Sequence, residues 1–251
     1  MSAIQAKYLD HMGTDLSVIN AARISFSQDD YGNLQPEPRT EAQILDLLNF
    51  LARGMQTGVW RYTLDQLCNG VDTPNELLKR IRHTPTHWAP FAHTCISVKC
   101  SAPVPIRTQA FKHKIGMVEN EESRRYISSV PEIYIPDTLR SIPQGSIKQG
   151  SHGKHHASGY WLKKYTEQIN SAVDLYTRMI NDGICPEQAR LVLPQGAIVN
   201  WVWTGNLYSF ANFYLLRSDS HAQHEVQILA KSIDSIVRPL FPKAWSALVD
   251  Q

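Results

Sequence analysis

From Ser158 to Asn181 apolar residues return at three- and four-residue steps: Leu162, Tyr165, Ile169, Ala172, Tyr176 and Met179. That spacing follows the 3.6-residue turn and predicts one long amphipathic helix. A helix of this length, about 36 Å, must bury its stripe against a second layer. The chain therefore needs a partner sheet or helices to cover it.

Candidates for that layer are legible on both sides. Ala92–Cys100 alternates, with Ile96, Val98 and Cys100 on one face and His93, Ser97 and Lys99 on the other, and predicts a half-buried strand. Ile198–Trp203 predicts a second strand. Thr14-Asp15 can cap a short helix leading to Ala21–Ser25, and Glu41–Arg53 carries Ile44, Leu47, Leu48 and Leu51 on one stripe. Thr73-Pro74-Asn75-Glu76 reads as a helix start, with Thr as N-cap, Pro at N1 and Glu at N3. Gly183 can end the long helix and Pro186 can open the next. Leu207–Leu216 and Ala222–Val237 predict two further helices. Asp29–Arg39 is loop-like, and Gly54–Asp72 has no clear period. Strands and helices mix without strict alternation, so the expected class is α+β rather than doubly wound.

Bulk properties exclude some functions. Over 251 residues the hydrophobic fraction is 43% and the formal net charge only +2, which argues against a nucleic-acid binder driven by bulk charge. No apolar run approaches the length of a membrane span. The start of the chain has no basic stretch leading into an apolar one, and the four cysteines form no C-x-x-C pair, so a reducing, cytoplasmic setting is expected. G-x-G-x-x-G and G-x-x-x-x-G-K-[ST] turns are both missing. His152, His155 and His156 lie in a Gly/Ser-rich stretch that reads as a surface loop rather than a metal site, and no metal is expected. Cys95 and Cys100 read as buried strand thiols and Cys185 as a small apolar residue; none has an activating base beside it.

Polar function concentrates in two places. The first runs through Gln109, Lys112, His113 and Lys114 to Glu121, Glu122, Ser123, Arg124 and Arg125. A nucleotide monophosphate needs charge-assisted donors for its phosphate and fixed polar groups for its base. These residues can supply both, though a solvated charged face is the plainer reading of the same run. The second comprises Asn206, Asn212 and Arg217, followed by Ser220-His221-Ala222-Gln223. Arg217 stands where the helical pattern breaks, from which a side chain can enter a site. The competing reading makes Asn206 a helix cap and Arg217 a charge favouring the helix dipole.

These residues resemble the flavin-dependent thymidylate synthase family. Lys112-His113-Lys114 with Asn120–Tyr126 is similar to its R-H-R and N-E-x-S-x-R-Y signature. His87–His93 resembles H-x-[ST]-P-F-x-H, Ala21–Ser25 its A-A-R-x-S opening, and Ala189–Pro194 its A-R-x-x-L-P segment. Asn212–Gln223 matches N-F-x-x-L-R-x-D-S-H-A-Q at every specified position. The segments occur in the family's order. The chain departs at Lys112 and Lys114, where arginines are usual, at Ala89 for Ser or Thr, and at Tyr208 for Arg. It also carries one extra residue between Lys114 and Asn120, and a probable insertion at about 54–72. Lys cannot reproduce the planar bidentate contact of Arg. The departures bear on which uridylate is bound, and a divergent branch methylating UMP in nucleoside-antibiotic pathways has a similar character.

The resemblance implies a single α+β domain working as a homotetramer with shared active sites. It implies C5-methylation of a uracil nucleotide, dUMP and/or UMP, with FAD as cofactor. Methylenetetrahydrofolate and NADPH would be co-substrates. Arg217 would be catalytic. Gln109, Lys112, Glu121, Glu122, Ser123, Arg124, Arg125, Arg190 and Arg217 would hold the nucleotide, with Ser123 and Arg125 nearest its phosphate. Ser25, His87, Ala89, Lys112, His113, Lys114, Glu121, Asn206, Tyr208 and Asn212 would lie at the flavin. A flavin- or nucleotide-binding module without turnover is the alternative from a different class.

Overall fold

The computed structural model describes residues 3–24, 40–53, 87–143 and 150–250. The expectations for Ser25, Asp29–Arg39, the segment at about 54–72, Cys68 and the helix start at Thr73 fall outside these residues.

Six strands are described: β1 (Gln5–Met12), β2 (Cys95–Pro103), β3 (Met117–Glu121), β4 (Arg140–Ser141), β5 (His152–Lys154) and β6 (Ile198–Gly205). Nine α-helical segments accompany them: α1 (Asp15–Arg23), α2 (Glu41–Ala52), α3 (Ala89–Ala92), α4 (Val104–Ala110), α5 (Ser158–Asn181), α6 (Pro186–Ala189), α7 (Leu207–Arg217), α8 (His224–Leu240) and α9 (Pro242–Val249). The class is α+β, as expected. Strands β1-β2-β6-β3 form one sheet in that order, and β4-β5 form a short antiparallel pair. The chain clusters into two compact units: Met1–Leu9, Ser97–Thr204 and Leu216–Ile233 make the first; Asp10–Ile96, Gly205–Leu215 and Asp234–Gln251 make the second.

In the first unit the predicted alternation of β2 is realised. Val98, Cys100 and Ala102 are buried, while Ser97, Lys99 and Ser101 face the other way. Trp201 and Trp203 of β6 fill the same core. On the opposite face Ser97 Oγ meets Thr204 Oγ1 at 2.8 Å and Ser101 Oγ donates to Asn200 Oδ1 at 2.6 Å. As one strand advances its partner recedes, so β2 and β6 run antiparallel. The strand begins at Cys95 rather than Ala92, because α3 occupies the preceding turn. Cys95 is consequently only half-buried, whereas Cys100 is fully buried.

Helix α5 has the predicted bounds. Its stripe buries Ile169 and Tyr176, and the Tyr176 hydroxyl donates to the Ser128 carbonyl at 3.1 Å. The helix packs on α6 and on the 3₁₀ turn Arg190–Val192. Gly183, at φ +89°, lets the chain leave the helix, as its position suggested. At Gly196 a Cβ would lie 2.9 Å from the Tyr165 hydroxyl and 3.0 Å from the Tyr134 carbonyl, so this close approach demands glycine.

The second unit holds α1, α2, α3 and α9, with α9 packed on α2 and α1. Thr40 caps α2 by accepting from Gln43 N at 3.3 Å, and Leu48, Leu51 and Ala52 form its buried side. Helix α8 starts at His224, two residues later than expected, because Asp219–Ala222 closes a turn first. It also runs past Val237 to Leu240, and Pro239 in its last turn takes one N–H out of the helix ladder just before the chain turns at Phe241 into α9. His152 sits in β5 rather than in a loop, since the pairing with β4 gives its backbone partners.

Candidate active site

The motif residues after Lys114 converge within the first unit. Strand β3 ends at Glu121, and the chain turns through Ser123–Tyr126, where the Tyr126 N–H donates to the Ser123 carbonyl at 3.2 Å. The 3₁₀ turn brings Arg190 to the same place. Glu121, Glu122, Ser123, Arg124 and Arg190, together with Arg107 of α4, line a cavity of about 540 Å³. That is the size of a small-molecule site, and three guanidinium groups make it a receptor for an anion.

Two carboxylates in the wall are held differently. Arg107 Nε lies 2.8 Å from Glu121 Oε2. Burial raises the Glu121 pKa, and the Arg107 and Arg190 charges draw it part of the way back. Glu122 is fixed by β6: its N–H donates to the Asn200 carbonyl at 2.9 Å, and Asn200 Nδ2 donates to Glu122 Oε2 at 2.8 Å. Ser101 holds the other end of the Asn200 amide, so the sheet's polar face orients a carboxylate at the cavity.

Other nominated residues lie outside the cavity wall. Arg125 is exposed and pairs with Glu187 at 3.2 Å. Lys112 is exposed, and Lys114 pairs with Glu119. Gln109 instead joins a polar chain. Its Nε2 donates to Gln223 Oε1 at 2.6 Å, and Gln223 Nε2 donates to Glu225 Oε2 at 2.9 Å. Glu225, only 5% exposed, also accepts from Arg140 Nη2, which is shared between its two carboxylate oxygens at 2.7 and 2.8 Å. Burial works against that charge, but the bonds from Arg140, Gln223 and its own backbone outweigh it and the pKa is lowered.

Arg217 and His113 meet directly. Arg217 Nε donates to His113 Nε2 at 3.0 Å. Burial, then the Arg217 charge, depress the imidazole to about 4. His113 is therefore neutral at physiological pH, with Nε2 as acceptor and its proton on Nδ1.

The remaining flavin candidates belong to the second unit. Asn206 caps α7, its Oδ1 accepting from Ser209 N at 2.9 Å and Ser209 Oγ at 2.8 Å, so the capping reading of this residue holds. Tyr208 lies against Trp88, with ring centroids 6.2 Å apart. Asn212 is half-buried on α7, Ala89 is exposed at the start of α3, and His87 Nε2 lies 2.7 Å from Arg53 Nη2. Among the described residues no cluster of metal-ligand type occurs, and no helix is long and apolar enough to cross a membrane. Cys100 is buried, which pushes its thiol up, away from the thiolate a nucleophile needs.

Sequence reading missed Arg107, Asn200, Arg140 and Glu225. A signal existed for the first. Val104-Pro105 is a helix start with Pro near N1, and it sets Arg107 one turn before Phe111, over whose ring the guanidinium lies at 5.3 Å. The others depend on contacts between distant segments.

The chain is similar to known proteins over most of its length. A flavin-dependent thymidylate synthase of Thermotoga neapolitana is 29% identical over 246 residues, covering 96% of this chain and 88% of its own length. One from Thermosipho melanesiensis is 32% identical over 185 residues, covering 72% of this chain and 80% of its own. The fold is similar to a crystal structure of the UMP/dUMP methylase PolB from Streptomyces cacaoi bound with 5-Br dUMP. The TM-score is 0.74 at 23% identity, over 97% of this chain and 94% of that one. The same protein bound with 5-Br UMP gives a TM-score of 0.72 at 22% identity, over 98% and 94%. The family model described as "Thymidylate synthase complementing protein" matches residues 7–243, and the chain belongs to that family.

Proposed function

We propose that this chain is a flavin-dependent methyltransferase that builds a methyl group on C5 of a uracil nucleotide, dUMP, UMP or both. The observation that carries the reading is the convergence of Glu121, Glu122, Ser123, Arg124 and Arg190, all nominated from motifs, on one cavity of about 540 Å³. The names of the relatives, and the two brominated uridylates bound by the similar methylase, agree in substrate class.

The residues also suit FAD by their chemistry. Lys112 and Lys114 offer cations to a pyrophosphate, His113 is a neutral imidazole, and Asn206, Asn212 and Tyr208 add amides and a ring. Ser25, His87, Ala89 and Glu121 complete the set proposed to hold it. When bound, the reduced flavin supplies hydride and helps carry the one-carbon unit. Methylenetetrahydrofolate is proposed as donor and NADPH as reductant.

The protein's own residues position and polarise. Arg217 donates its Nε to His113, and its Nη edge is proposed to meet the uracil. A guanidinium there stabilises the N3-deprotonated, electron-rich ring, which makes C5 the better nucleophile. Gln109, Lys112 and Arg125 are proposed to complete the nucleotide contacts in a homotetramer with shared sites, in the cytoplasm.

Product analysis with dUMP and UMP side by side tests the reading. Purified protein should be yellow, with FAD released on denaturation, and should yield a 5-methyl product from at least one nucleotide. Flavin retention and nucleotide binding without product would make it a module without turnover. Failure to take up FAD would sink the enzyme reading.

A further inference from the structure

We propose that Arg107 is the phosphate anchor of the nucleotide cavity, so that this residue makes the site select a nucleoside monophosphate over the nucleoside. The inference deepens the uridylate reading and rests on it.

Arg107 stands in the cavity wall with its side chain 26% exposed. Its Nε is buried and lies 2.8 Å from Glu121 Oε2, close enough for an ion pair, yet its N–H does not aim along that contact and makes no hydrogen bond. Among the described residues the Nη atoms make no hydrogen bond either; their remaining contact is the face of Phe111. Of its five N–H donors the buried Nε has no acceptor aligned with it, and leaving a desolvated donor unmade is costly. A dianionic phosphate is the group that best satisfies a planar fork of donors.

The other cations differ from Arg107 in place or in exposure. Arg125 pairs with Glu187 outside the cavity wall, and Lys114 pairs with Glu119. Arg124 donates to the Ser129 carbonyl. Arg190 is exposed, so its donors can be satisfied by water. Within the wall, Arg107 is the guanidinium that is both partly desolvated and without aligned partners. Glu121 beside it holds the side chain in place by charge without using its hydrogen bonds.

The test is calorimetric binding of dUMP, UMP and their nucleosides to FAD-loaded wild-type, Arg107→Gln and Arg107→Lys protein, with inorganic phosphate as competitor. Arg107→Gln should weaken monophosphate binding on the order of 10- to 100-fold, leave nucleoside binding unchanged, and abolish competition by phosphate. Arg107→Lys should fall between, because it keeps the charge and loses the fork. Equal losses for nucleotide and nucleoside, or no loss for either, would overturn the assignment while wild-type binding left the uridylate reading intact. Wild-type protein that binds neither monophosphate would overturn both. Should Arg107→Gln fail to fold by circular dichroism, Arg107→Lys decides on the same nucleotide-to-nucleoside ratio.

Discussion

Arg217, the last residue of α7, donates from its Nε to Nε2 of His113 in the turn after α4, at 3.0 Å. One bond thereby fixes the tautomer of a half-buried imidazole and the rotation of a guanidinium. Both residues come from motifs that resemble a flavin-dependent family, and both are proposed to face ligands. Their contact means that neither can be altered without disturbing the other.

For Arg217 the expected outcome separates binding from turnover. Arg217→Lys keeps the positive charge but loses the planar fork, so nucleotide affinity should fall modestly and kcat more. Arg217→Ala should lower kcat on the order of 10²-fold, as removal of one preorganised donor commonly does. Both variants should keep FAD. The measurements are kcat, nucleotide dissociation constant and flavin absorbance, with circular dichroism for folding. Unchanged kcat in Arg217→Ala would take this residue out of the mechanism.

The depressed pKa of His113 makes a pH prediction with a definite sign. In the unfolded chain the imidazole titrates near 6.5; in the fold it falls to about 4. Between these values the unfolded chain binds more protons, so stability rises with pH across that window. The contribution is complete above about 6.5 and is lost as pH falls toward 4. His113→Gln retains an acceptor for Arg217 and removes the titration. Its urea midpoint should therefore fall less than wild type between neutral pH and the acid end. Parallel acid losses in the two proteins would refute a neutral, desolvated His113.

Glu225 should act through Gln109. A carboxylate cannot donate, so only the NH₂ end of Gln223 can sit 2.9 Å from Glu225 Oε2, and its oxygen must then receive Gln109. That polarity turns the Gln109 oxygen outward as an acceptor. Glu225→Gln removes the constraint and should weaken nucleotide binding by about tenfold. In a Gln109→Ala background the same change should add nothing to the loss. Additive losses in the double variant would mean that Glu225 works by another route.

Asp15 predicts a stability effect remote from the cavity. Pro242 opens α9, and the next two N–H groups, of Lys243 and Ala244, donate to Asp15 at 2.9 and 2.8 Å. The carboxylate thus satisfies two orphan donors and meets the positive end of the helix dipole. Asp15→Ala should cost about 1–2 kcal/mol in urea denaturation. Glu41→Ala, which removes an exposed pair with Lys243, should change nothing measurable. Equal effects of the two substitutions would contradict the capping role.

What could be read from residue order alone was whatever short spacing encodes. The three-and-four step of Ser158–Asn181 delivered α5 to the residue, and alternation in Ile96–Cys100 delivered the inward face of β2. The motifs around Glu121–Arg125 and Asn212–Gln223 pointed to nucleotide chemistry because local residue types and spacing are what motifs record. β1 and β3 went unread because they are the edges of the sheet: β1 has no clean alternation, and β3 alternates in burial but turns Glu119 and Glu121 inward, so no apolar period betrays it. Tertiary structure alone decided which side chains meet. It brought Gln109 to Gln223, Arg217 to His113, and Arg140 to Glu225, and it placed Arg107 in the cavity wall while leaving Arg125 outside. Those pairings join segments far apart in the chain. They are set by how the sheet and helices pack to bury Trp201, Trp203 and the α8 core, a constraint that local periodicity does not carry.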